Sequence, residues 1–368
     1  MQYRPLGATG MNLSRLGFGS MRLPMKEVDG SQRVDEDIAV PLMQRAFELG
    51  VNYMDTAYFY CENTSEYAVG KALKGWRDKV YLSTKYPFRK DFRETLEEQL
   101  TKLDTDYIDL YHFHGISTRV FDNQFFESAV AGAIKAKEEG LVRHMAFSYH
   151  GKPEEIGKII DIGIFESVLI QYNLFDRSNE GAMAEAKSRG LGVIVMGPVG
   201  GGRVAGLPKE AAEKWGVPVR SNAELALRFV FSNPNVDCAI SGMTSIPMIE
   251  ENVAIASNIE PLSAQEIADI SASMDENKRL ANLYCTGCNY CLPHCQQQVN
   301  ISAIFQAMNY LRVYGLKEFA QEHYDSIGTK WMKGTKADAC IQCGECEPHC
   351  PQNINIIEQL EECLQAFG

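Results

Sequence analysis

Residues 80–112 read VYLSTKYPFRKDFRETLEEQLTKLDTDYIDLYH, and this segment contains the unit from which most of the chain is built. Val80–Lys85 and Tyr107–His112 are short runs rich in β-branched and aromatic residues, as expected of buried strands. Glu94–Leu103, between them, has the apolar spacing that favours a helix. A strand, a helix and a second strand in this order predict a βαβ unit with parallel strands.

The same alternation continues on both sides of this segment and covers residues 1 to about 260. We identify eight apolar runs, which begin near Leu16, Val51, Val80, Tyr107, Val142, Val168, Gly192 and Val236. Longer stretches of helical periodicity lie between them, Ala223–Phe231 among these. Eight strand–helix repeats predict an α/β fold, a (β/α)₈ TIM barrel. The count of eight and the absence of an early G-x-G-x-x-G turn disfavour a doubly wound open sheet.

Length, charge and composition limit what the rest of the molecule does. The chain has 368 residues, enough for a barrel of roughly 250 residues and a smaller module. Its 36 basic and 48 acidic residues give a net charge of -12, which argues against nonspecific binding to nucleic acid or to an anionic membrane. It has neither an apolar run that could span a bilayer nor a signal-peptide pattern. We therefore expect a cytoplasmic protein with no nucleic-acid or membrane partner.

Eight of the eleven cysteines form two matched runs near the C-terminus. Their spacing is C-x₂-C-x₂-C-x₃-C, which is typical of proteins that bind two [4Fe–4S] clusters. In such pairs, three cysteines of a run hold one cluster and the fourth ligates the other. The predicted ligand sets are therefore crossed: Cys285, Cys288, Cys291 and Cys350 for one cluster, and Cys340, Cys343, Cys346 and Cys295 for the other.

Zinc is the alternative occupant of such cysteines, since a lone C-x₂-C pair often binds zinc. Two complete copies of the four-cysteine spacing favour clusters. The first run departs from the usual pattern because Gln296 follows it where proline is common. The spacer between the runs contains two predicted helices, 301–311 and 316–323, so residues 285–368 resemble helical ferredoxin-like domains. We predict that residues 261–284 form a linking helix.

Four polar residues stand at the carboxyl ends of predicted strands, where barrels of this type carry their active sites. They are Asp55, Tyr60, Lys85 and His114. An ammonium beside a phenol stabilises the phenolate, and a carboxylate would hold that ammonium in place. Such a group could donate a proton to a carbonyl, with His114 polarising it or completing a proton relay. Each residue alone also has a structural explanation, and one of His112 and His114, which share a strand face, is expected to be structural.

Motifs across about 260 residues of the barrel resemble those of the aldo-keto reductase family. The matching segments, in chain order, are 3–7 with 9–10, 14–19, 55–60, 69–73, 83–85, 107–114, 171–173 and 251–252. The resemblance implies hydride transfer between NADPH or NADH and a small carbonyl or alcohol substrate. It also implies that Tyr60 is the general acid and that the barrel mouth binds the nucleotide without a Rossmann fold.

The resemblance further implies which residues surround the nucleotide. Gly19, Met21 and Asp55 would lie near the nicotinamide, and Ser148 and Gln171 would bind its carboxamide. Met196 ends the seventh strand beside the nicotinamide, and Gly197, Pro198 and Gly201 would cover the pyrophosphate. Gly242, Met243, Thr244, Glu251 and Asn252 would lie around the adenosine.

Three positions depart from the family pattern. Tyr149 follows Ser148 where the family has asparagine, and Met196 stands where an aromatic ring often stacks on the nicotinamide. Met248 replaces an arginine that binds the 2′-phosphate of NADPH in many members. Because methionine cannot form that bidentate contact, the choice between NADH and NADPH stays open.

Three hypotheses about function remain at this point. In the first, a carbonyl or alcohol oxidoreductase exchanges electrons through its clusters with a ferredoxin, a flavodoxin or a flavoprotein. In the second, the clusters of a nicotinamide-dependent reductase are structural or serve for docking. In the third, the chain is an electron-transfer subunit on an inactive barrel. Hydride carries two electrons whereas each cluster takes one, so direct coupling normally requires a flavin, for which we find no motif.

Overall fold

The structure is a computed structural model of the chain, and it describes residues 1–174, 176–200, 219–275, 285, 287–312, 317–329 and 332–368, without the side chains of 271–275. The chain divides into two compact units, which we describe separately. One is Met1–Val199 with Ala226–Pro261, and the other is Gly200–Leu225 with Leu262–Gly368. The predicted limits at 260 and 285 stay predictions. In the described ranges, no helix is both long and apolar enough to cross a membrane.

The first unit is a closed barrel of eight parallel strands, as predicted. They are β3 (Leu16–Gly19), β6 (Tyr53–Asp55), β7 (Tyr81–Tyr86), β8 (Ile108–Ile116), β9 (Val142–Tyr149), β10 (Ser167–Gln171), β11 (Gly192–Met196) and β12 (Cys238–Ser241). Each strand pairs with the next, and β12 pairs with β3 to close the barrel. The strand predicted over 107–112 extends further, to Ile116, with an irregularity in its pairing to β9 after Phe113.

Helices follow the strands as the sequence pattern indicates. In chain order they are α1 (Glu36–Glu48), α2 (Ser65–Ala72), α3 (Phe92–Leu103), α4 (Phe126–Glu138), α5 (Ile156–Ile160), α6 (Glu180–Ser188), α7 (Asn222–Ser232) and α8 (Ile246–Ser257). The helices predicted over 94–103 and 223–231 correspond to α3 and α7. Their apolar faces cover the barrel and leave its carboxyl end free for polar side chains.

An N-terminal hairpin closes the amino end of the barrel. Its strands are β1 (Tyr3–Pro5) and β2 (Asn12–Ser14), and Leu6, Met11 and Leu13 pack with residues of the barrel interior. The chain passes close to β11 at Gly7, which has φ +48 and where a Cβ would lie 2.3 Å from the backbone nitrogen of Gly192. Only glycine fits this approach.

A second hairpin, β4 (Met25–Val28) with β5 (Ser31–Val34), was not predicted. Asp29 and Gly30 connect the strands, with φ of 52° and 76°. An Asp-Gly pair with two positive φ angles is a favoured two-residue hairpin turn. The signal was therefore present, but the flanking strands are mostly polar and lack the apolar alternation by which strands are usually recognised.

A left-handed turn follows β6 and begins at Tyr60. Cys61, Glu62 and Asn63 have φ of 51°, 52° and 62°, a region that costs an L-residue roughly 1–2 kcal/mol. Three consecutive non-glycine residues in this region are unusual, and such strain concentrates at functional sites. The turn connects Tyr60 to α2.

We expect Glu62→Gly to raise the free energy of unfolding by about 1 kcal/mol, because glycine adopts this conformation without a Cβ clash. The Glu62 side chain is exposed, so little contact is lost. Urea denaturation of the full chain would measure the change. As a control, Glu97→Gly at an exposed position in the right-handed helix α3 should lower stability by about 1 kcal/mol. Equal losses in both variants would contradict the left-handed turn.

The second unit is mostly helical, as predicted, with α9 (Ala264–Asp275), α10 (Ile301–Arg312), α11 (Lys317–Asp325) and α12 (Ile356–Phe367). The predicted spacer helices correspond to α10 and α11, and Leu316 lies outside the described residues. The rings of Tyr324 and Phe367 stack 4.9 Å apart and link α11 to α12. Arg312 and Glu362 form an ion pair of 2.6 Å between α10 and α12.

The two cysteine runs share backbone features at matched positions among their described residues. Each ends in a short 3₁₀ turn, Leu292–His294 in the first run and Glu347–His349 in the second. Positive φ angles occur at corresponding places in both: Gly287 and Gln342, Asn289 and Gly344, and Gln298 and Asn353. The rings of His294 and His349 stack in parallel with centroids 3.4 Å apart. The sequence repeat is therefore a structural repeat.

Candidate active site

Four side chains predicted from the sequence meet at the carboxyl end of the barrel. Asp55 ends β6, Tyr60 begins the left-handed turn, Lys85 lies near the end of β7, and His114 lies in the last part of β8. Nζ of Lys85 donates to both carboxylate oxygens of Asp55 at 2.7 Å and lies 4.9 Å from the Tyr60 ring centroid. The rings of Tyr60 and His114 meet edge to face, 6.0 Å apart.

The Lys85–Asp55 ion pair is shielded from water, with both side chains 1% exposed. Nζ of Lys85 makes a third hydrogen bond, to the main-chain oxygen of Thr56 at 2.7 Å. Burial lowers the pKa of Lys85, and the adjacent carboxylate of Asp55 opposes that shift. The carboxylate therefore favours a charged ammonium next to Tyr60.

Two residues that sequence reasoning did not single out support this pair. Ser83 donates its hydroxyl hydrogen to Oδ1 of Asp55 at 2.8 Å, and Tyr53 donates to Oγ of Ser83 at 3.0 Å. Ser83 lies two residues before Lys85, and Tyr53 two residues before Asp55. Each pair shares a strand face, so this spacing was the available signal.

A second histidine, His150, lies beside His114. It follows β9, and its backbone N–H donates to the oxygen of Ile116 at 3.0 Å. Burial, together with the ammonium of Lys85, lowers the pKa of His114 well below the usual value and that of His150 to about 4. Both imidazoles are therefore neutral at pH 7 and can exchange hydrogen bonds with a substrate. His150 lies two residues after Ser148, so the alternation of β9, continued just past its last residue, was the available signal.

A buried carboxyl group, Glu66, anchors the back of β7. Its Oε1 accepts hydrogen bonds of 2.6 Å from Thr84 and from Gln99. Gln99 also donates to the main-chain oxygen of Lys85 at 3.2 Å. Burial raises the pKa of Glu66, and the two hydrogen bonds oppose the shift. This network fixes the backbone from which Lys85 projects.

The barrel mouth contains buried polar atoms that suit a nicotinamide nucleotide. Gln171 ends β10 and is 5% exposed, yet its Nε2 has no hydrogen-bond partner in the described part of the chain. The same holds for Oγ of Ser20, which follows β3. Oγ of Ser148 accepts from the N–H of Gly115 at 2.6 Å, which leaves its hydroxyl hydrogen for a ligand. Because buried polar groups are normally paired, these atoms fit a polar ligand such as a carboxamide.

The other residues predicted to contact the nucleotide lie at the ends of β3, β11 and β12, which are neighbours in the barrel, or on α8. Gly19 and Met21 lie at or just after the end of β3, and Met196, Gly197 and Pro198 lie at or just after the end of β11. Gly242, Met243 and Thr244 follow β12, and Glu251 and Asn252 lie on α8. Asn252 is buried and donates to Oγ of Ser241 at 3.3 Å, whereas Glu251 is exposed. Gly201 lies outside the described residues.

The eight cysteines of the two runs line two cavities, in the crossed sets that the spacing predicts. Cys285, Cys288, Cys291 and Cys350 line one cavity, and Cys340, Cys343, Cys346 and Cys295 line the other. Apolar side chains form much of the remaining walls, and Ile301 lines both. Each cavity thus has the four thiols that a [4Fe–4S] cluster requires, and the sharing of ligands between the two runs is the arrangement of two-cluster proteins.

Backbone N–H groups point at three of these sulfur atoms. Gly287 donates to Sγ of Cys285 at 3.4 Å, and Val299 donates to Sγ of Cys295 at 3.4 Å. In the second run, Gln342 donates to Sγ of Cys340 at 3.5 Å. Hydrogen bonds of this kind stabilise thiolate ligands and tune cluster potentials.

The crowding of thiols is electrostatically costly until a cation binds. Burial, together with the neighbouring cysteines, Cys285 first among them, raises the pKa of Cys291 to about 12. Burial also raises the pKa of Cys346 to about 11. Since metal ligation requires thiolates, iron would supply the positive charge that these sites lack.

Comparisons with known proteins agree with this division of the chain. The sequence profile of the aldo/keto reductase family matches residues 15–214, and that of a 4Fe-4S dicluster domain matches residues 284–355. The L-galactose dehydrogenase of Arabidopsis thaliana is 29% identical over 314 residues, covering 76% of this chain and 96% of that protein. The uncharacterized oxidoreductase YqkF of Bacillus subtilis is 27% identical over 304 residues, covering 73% and 94%.

Solved structures give the same assignment for the barrel. The holo form of the aldo-keto reductase AKR11C1 from Bacillus halodurans is similar with a TM-score of 0.63 and 30% identity. The similarity covers 74% of this chain and 96% of that one. The family profile spans more than half of the present chain, and the closed eight-stranded barrel is the fold of that relative. This chain therefore belongs to the aldo/keto reductase family of oxidoreductases, and a 4Fe-4S dicluster domain follows its barrel.

Proposed function

We propose that this protein reduces a carbonyl compound with NADH or NADPH, or oxidises the corresponding alcohol, with Tyr60 as general acid. The observation that carries the proposal is the buried Lys85–Asp55 ion pair, whose ammonium lies 4.9 Å from the Tyr60 ring. The residues named for the nucleotide, Gln171 and Ser148 first among them, would hold it across the barrel mouth. A bound nicotinamide supplies the hydride that reduces the carbonyl carbon.

The chain's own groups account for the proton. Tyr60 donates its phenolic hydrogen to the carbonyl oxygen as negative charge develops there, and the Lys85 ammonium stabilises the resulting phenolate. Neutral His114 donates a hydrogen bond to the same oxygen. Solvent then returns a proton to Tyr60. In the direction of alcohol oxidation the same groups act in reverse.

The direct test is turnover by anaerobically purified protein. NADH and NADPH would be titrated separately against a panel of aldehydes and ketones, with nucleotide consumption and the alcohol product both measured. We expect alcohol to form in a one-to-one ratio with nucleotide consumed. If the protein consumed neither nucleotide with any carbonyl and oxidised no alcohol, the proposal would be wrong.

We also propose that the crossed cysteine sets hold two [4Fe–4S] clusters that exchange electrons with a ferredoxin, a flavodoxin or a flavoprotein. The cysteine loop of the second run is the more exposed one: Ile341 is 57% exposed, and Cys343 is exposed as well. An exposed cluster loop supports electron exchange with an outside protein. Each cluster carries one electron, so the pair could together store the two electrons of one hydride equivalent.

Iron analysis tests the ligand sets. Wild-type protein should contain about eight iron atoms per chain, and Cys288→Ala or Cys343→Ala should lower this to about four. Cys363→Ala is the matched control: this cysteine is buried in α12 and outside both ligand sets, so the variant should keep about eight. Unchanged iron in both ligand variants would contradict the assignment.

The alternative, structural or docking clusters, is distinguished by electron transfer. If Cys343→Ala lost one cluster but kept both full carbonyl turnover and every electron-acceptor activity of the wild type, the clusters would be structural. If that variant kept carbonyl turnover and lost reduction of a one-electron acceptor, the clusters would be electron carriers.

A further inference from the structure

The barrel mouth has a wall that the proposed chemistry does not use. The ring of Phe59, which precedes Tyr60, lies nearly parallel to the imidazole of His114, with centroids 6.3 Å apart and an interplanar angle of 25°. The guanidinium of Arg89 lies over the Phe59 ring, 4.4 Å from its centroid. Arg89, Phe59 and His114 thus form a continuous wall that begins at the catalytic histidine and ends in a positive charge.

The charge of Arg89 is not neutralised by a carboxylate in the described part of the chain. Its neighbour Lys90, in contrast, pairs with both Glu94 and Glu98. The Arg89 side chain is exposed, so a ligand can reach its donor groups. In a chain with a net charge of -12, an unneutralised guanidinium at this position creates a local site for an anion.

The loop that carries Arg89 is held in a strained conformation. Phe88 has a φ of 55°, which is rare for an aromatic residue. Its ring packs against those of Tyr86 at 4.6 Å and Phe113 at 4.9 Å. This anchoring fixes the loop after β7 so that the next residue reaches Phe59.

Among the described residues that contact Tyr60, the cation is Lys85, and its charge is already compensated. Lys85 is already paired with Asp55, and the imidazoles of His114 and His150 are neutral at pH 7. A substrate that fits this wall would place its reactive carbonyl at His114, an apolar segment on the Phe59 ring and an anionic group at Arg89.

We infer that Arg89 binds an anionic group of the substrate, so that the preferred carbonyl compound carries a carboxylate or a phosphate beyond an apolar segment the size of a ring. This inference rests on the proposed carbonyl reduction and specifies its substrate class. Arg89 is a specificity-determining residue and takes no part in proton or hydride transfer.

The test compares anionic with neutral aldehydes that share one aromatic ring. 4-Formylbenzoate is compared with its methyl ester, and 4-formylphenyl phosphate is compared with 4-methoxybenzaldehyde. For wild-type protein, kcat/KM should be higher for the anions, and Arg89→Gln should lower that preference by about tenfold, with the loss mainly in KM. Arg89→Lys should retain part of it, because lysine keeps the charge but not the planar fork. A loss confined to one pair of substrates would identify carboxylate or phosphate as the natural anion.

Lys79→Gln is the matched control, since Lys79 also lies over an aromatic ring, that of Trp76 at 5.3 Å, but precedes β7 at the opposite end of the barrel. It should leave the preference unchanged.

Turnover of all four aldehydes with no preference for anions, or an equal preference in Arg89→Gln, would overturn the inference and leave carbonyl reduction standing. If none of the four were reduced, calorimetric titration with 4-formylbenzoate would decide: tighter binding to wild type than to Arg89→Gln supports the anion site, and equal binding overturns it.

Discussion

Tyr60→Phe should lower kcat for carbonyl reduction by roughly 10²–10⁴-fold, the usual contribution of a positioned general acid. Phenylalanine keeps the ring that contacts Lys85 and His114 but has no proton to donate. Nucleotide binding should be unchanged, because the residues proposed for it come from other strand ends. Steady-state kinetics with fluorescence titration of the nucleotide would separate the two effects.

Tyr67→Phe provides the control for this experiment. Tyr67 is a half-exposed tyrosine on α2, seven residues after Tyr60, and contributes nothing to the mouth. Its variant should keep wild-type kcat. If Tyr60→Phe also retained wild-type kcat on every substrate, the general acid would be a different residue.

Lys85→Met should abolish carbonyl reduction and also lower the free energy of unfolding by about 3–5 kcal/mol, the cost of leaving a buried charge without its partner. Asp55 would keep a hydrogen bond from Ser83 but lose its counter-ion in a site closed to water. Adding Asp55→Asn removes that uncompensated charge. The double variant should therefore be more stable than Lys85→Met alone while remaining inactive.

Urea denaturation of the full chain, followed by circular dichroism, measures both variants under the same conditions. A double variant no more stable than Lys85→Met would show that lost contacts, and not the isolated carboxylate, cause the destabilisation. Wild-type turnover by either variant would contradict the role of the ion pair in catalysis.

The sequence was sufficient to predict the barrel because its strands are buried on both faces. Runs such as Val142–Phe147 and Gly192–Met196 stand out from the amphipathic helices on either side. The four residues that meet at the mouth could be predicted for a related reason. The carboxyl ends of parallel strands converge on one rim, so polar residues at strand ends become neighbours. In the second unit, the paired cysteine spacing was likewise sufficient to predict which cysteines lie together.

Other parts of the site were harder to predict from the sequence. Tyr53 and Ser83 are ordinary strand residues, and only their spacing from Asp55 and Lys85 places them beneath the ion pair. His150 lies beyond the apolar run that begins near Val142, so its position on the mouth was not recognised. The left-handed turn after Tyr60 contains no glycine, and therefore lacks the usual signal for positive φ.

The wall formed by Phe59 and Arg89 depends on contacts between two loops. Arg89 lies four residues beyond Lys85 in a segment without periodicity, and no local pattern relates it to Phe59. The strained Phe88 and its aromatic neighbours determine that contact, and this is tertiary information. Sequence patterns predicted the strand ends, whereas the loops that shape substrate choice required the structure.

Direct hydride transfer is the central claim, and isotope labelling tests it. Under anaerobic conditions, one turnover would be run with a nicotinamide nucleotide that carries deuterium at both C4 positions, and the alcohol analysed by mass spectrometry. If hydride moves directly at the site around Tyr60, the alcohol carries one deuterium on its carbinol carbon. If electrons instead pass through the clusters and the hydrogen comes from solvent, the alcohol carries none, and this account of the barrel site is wrong.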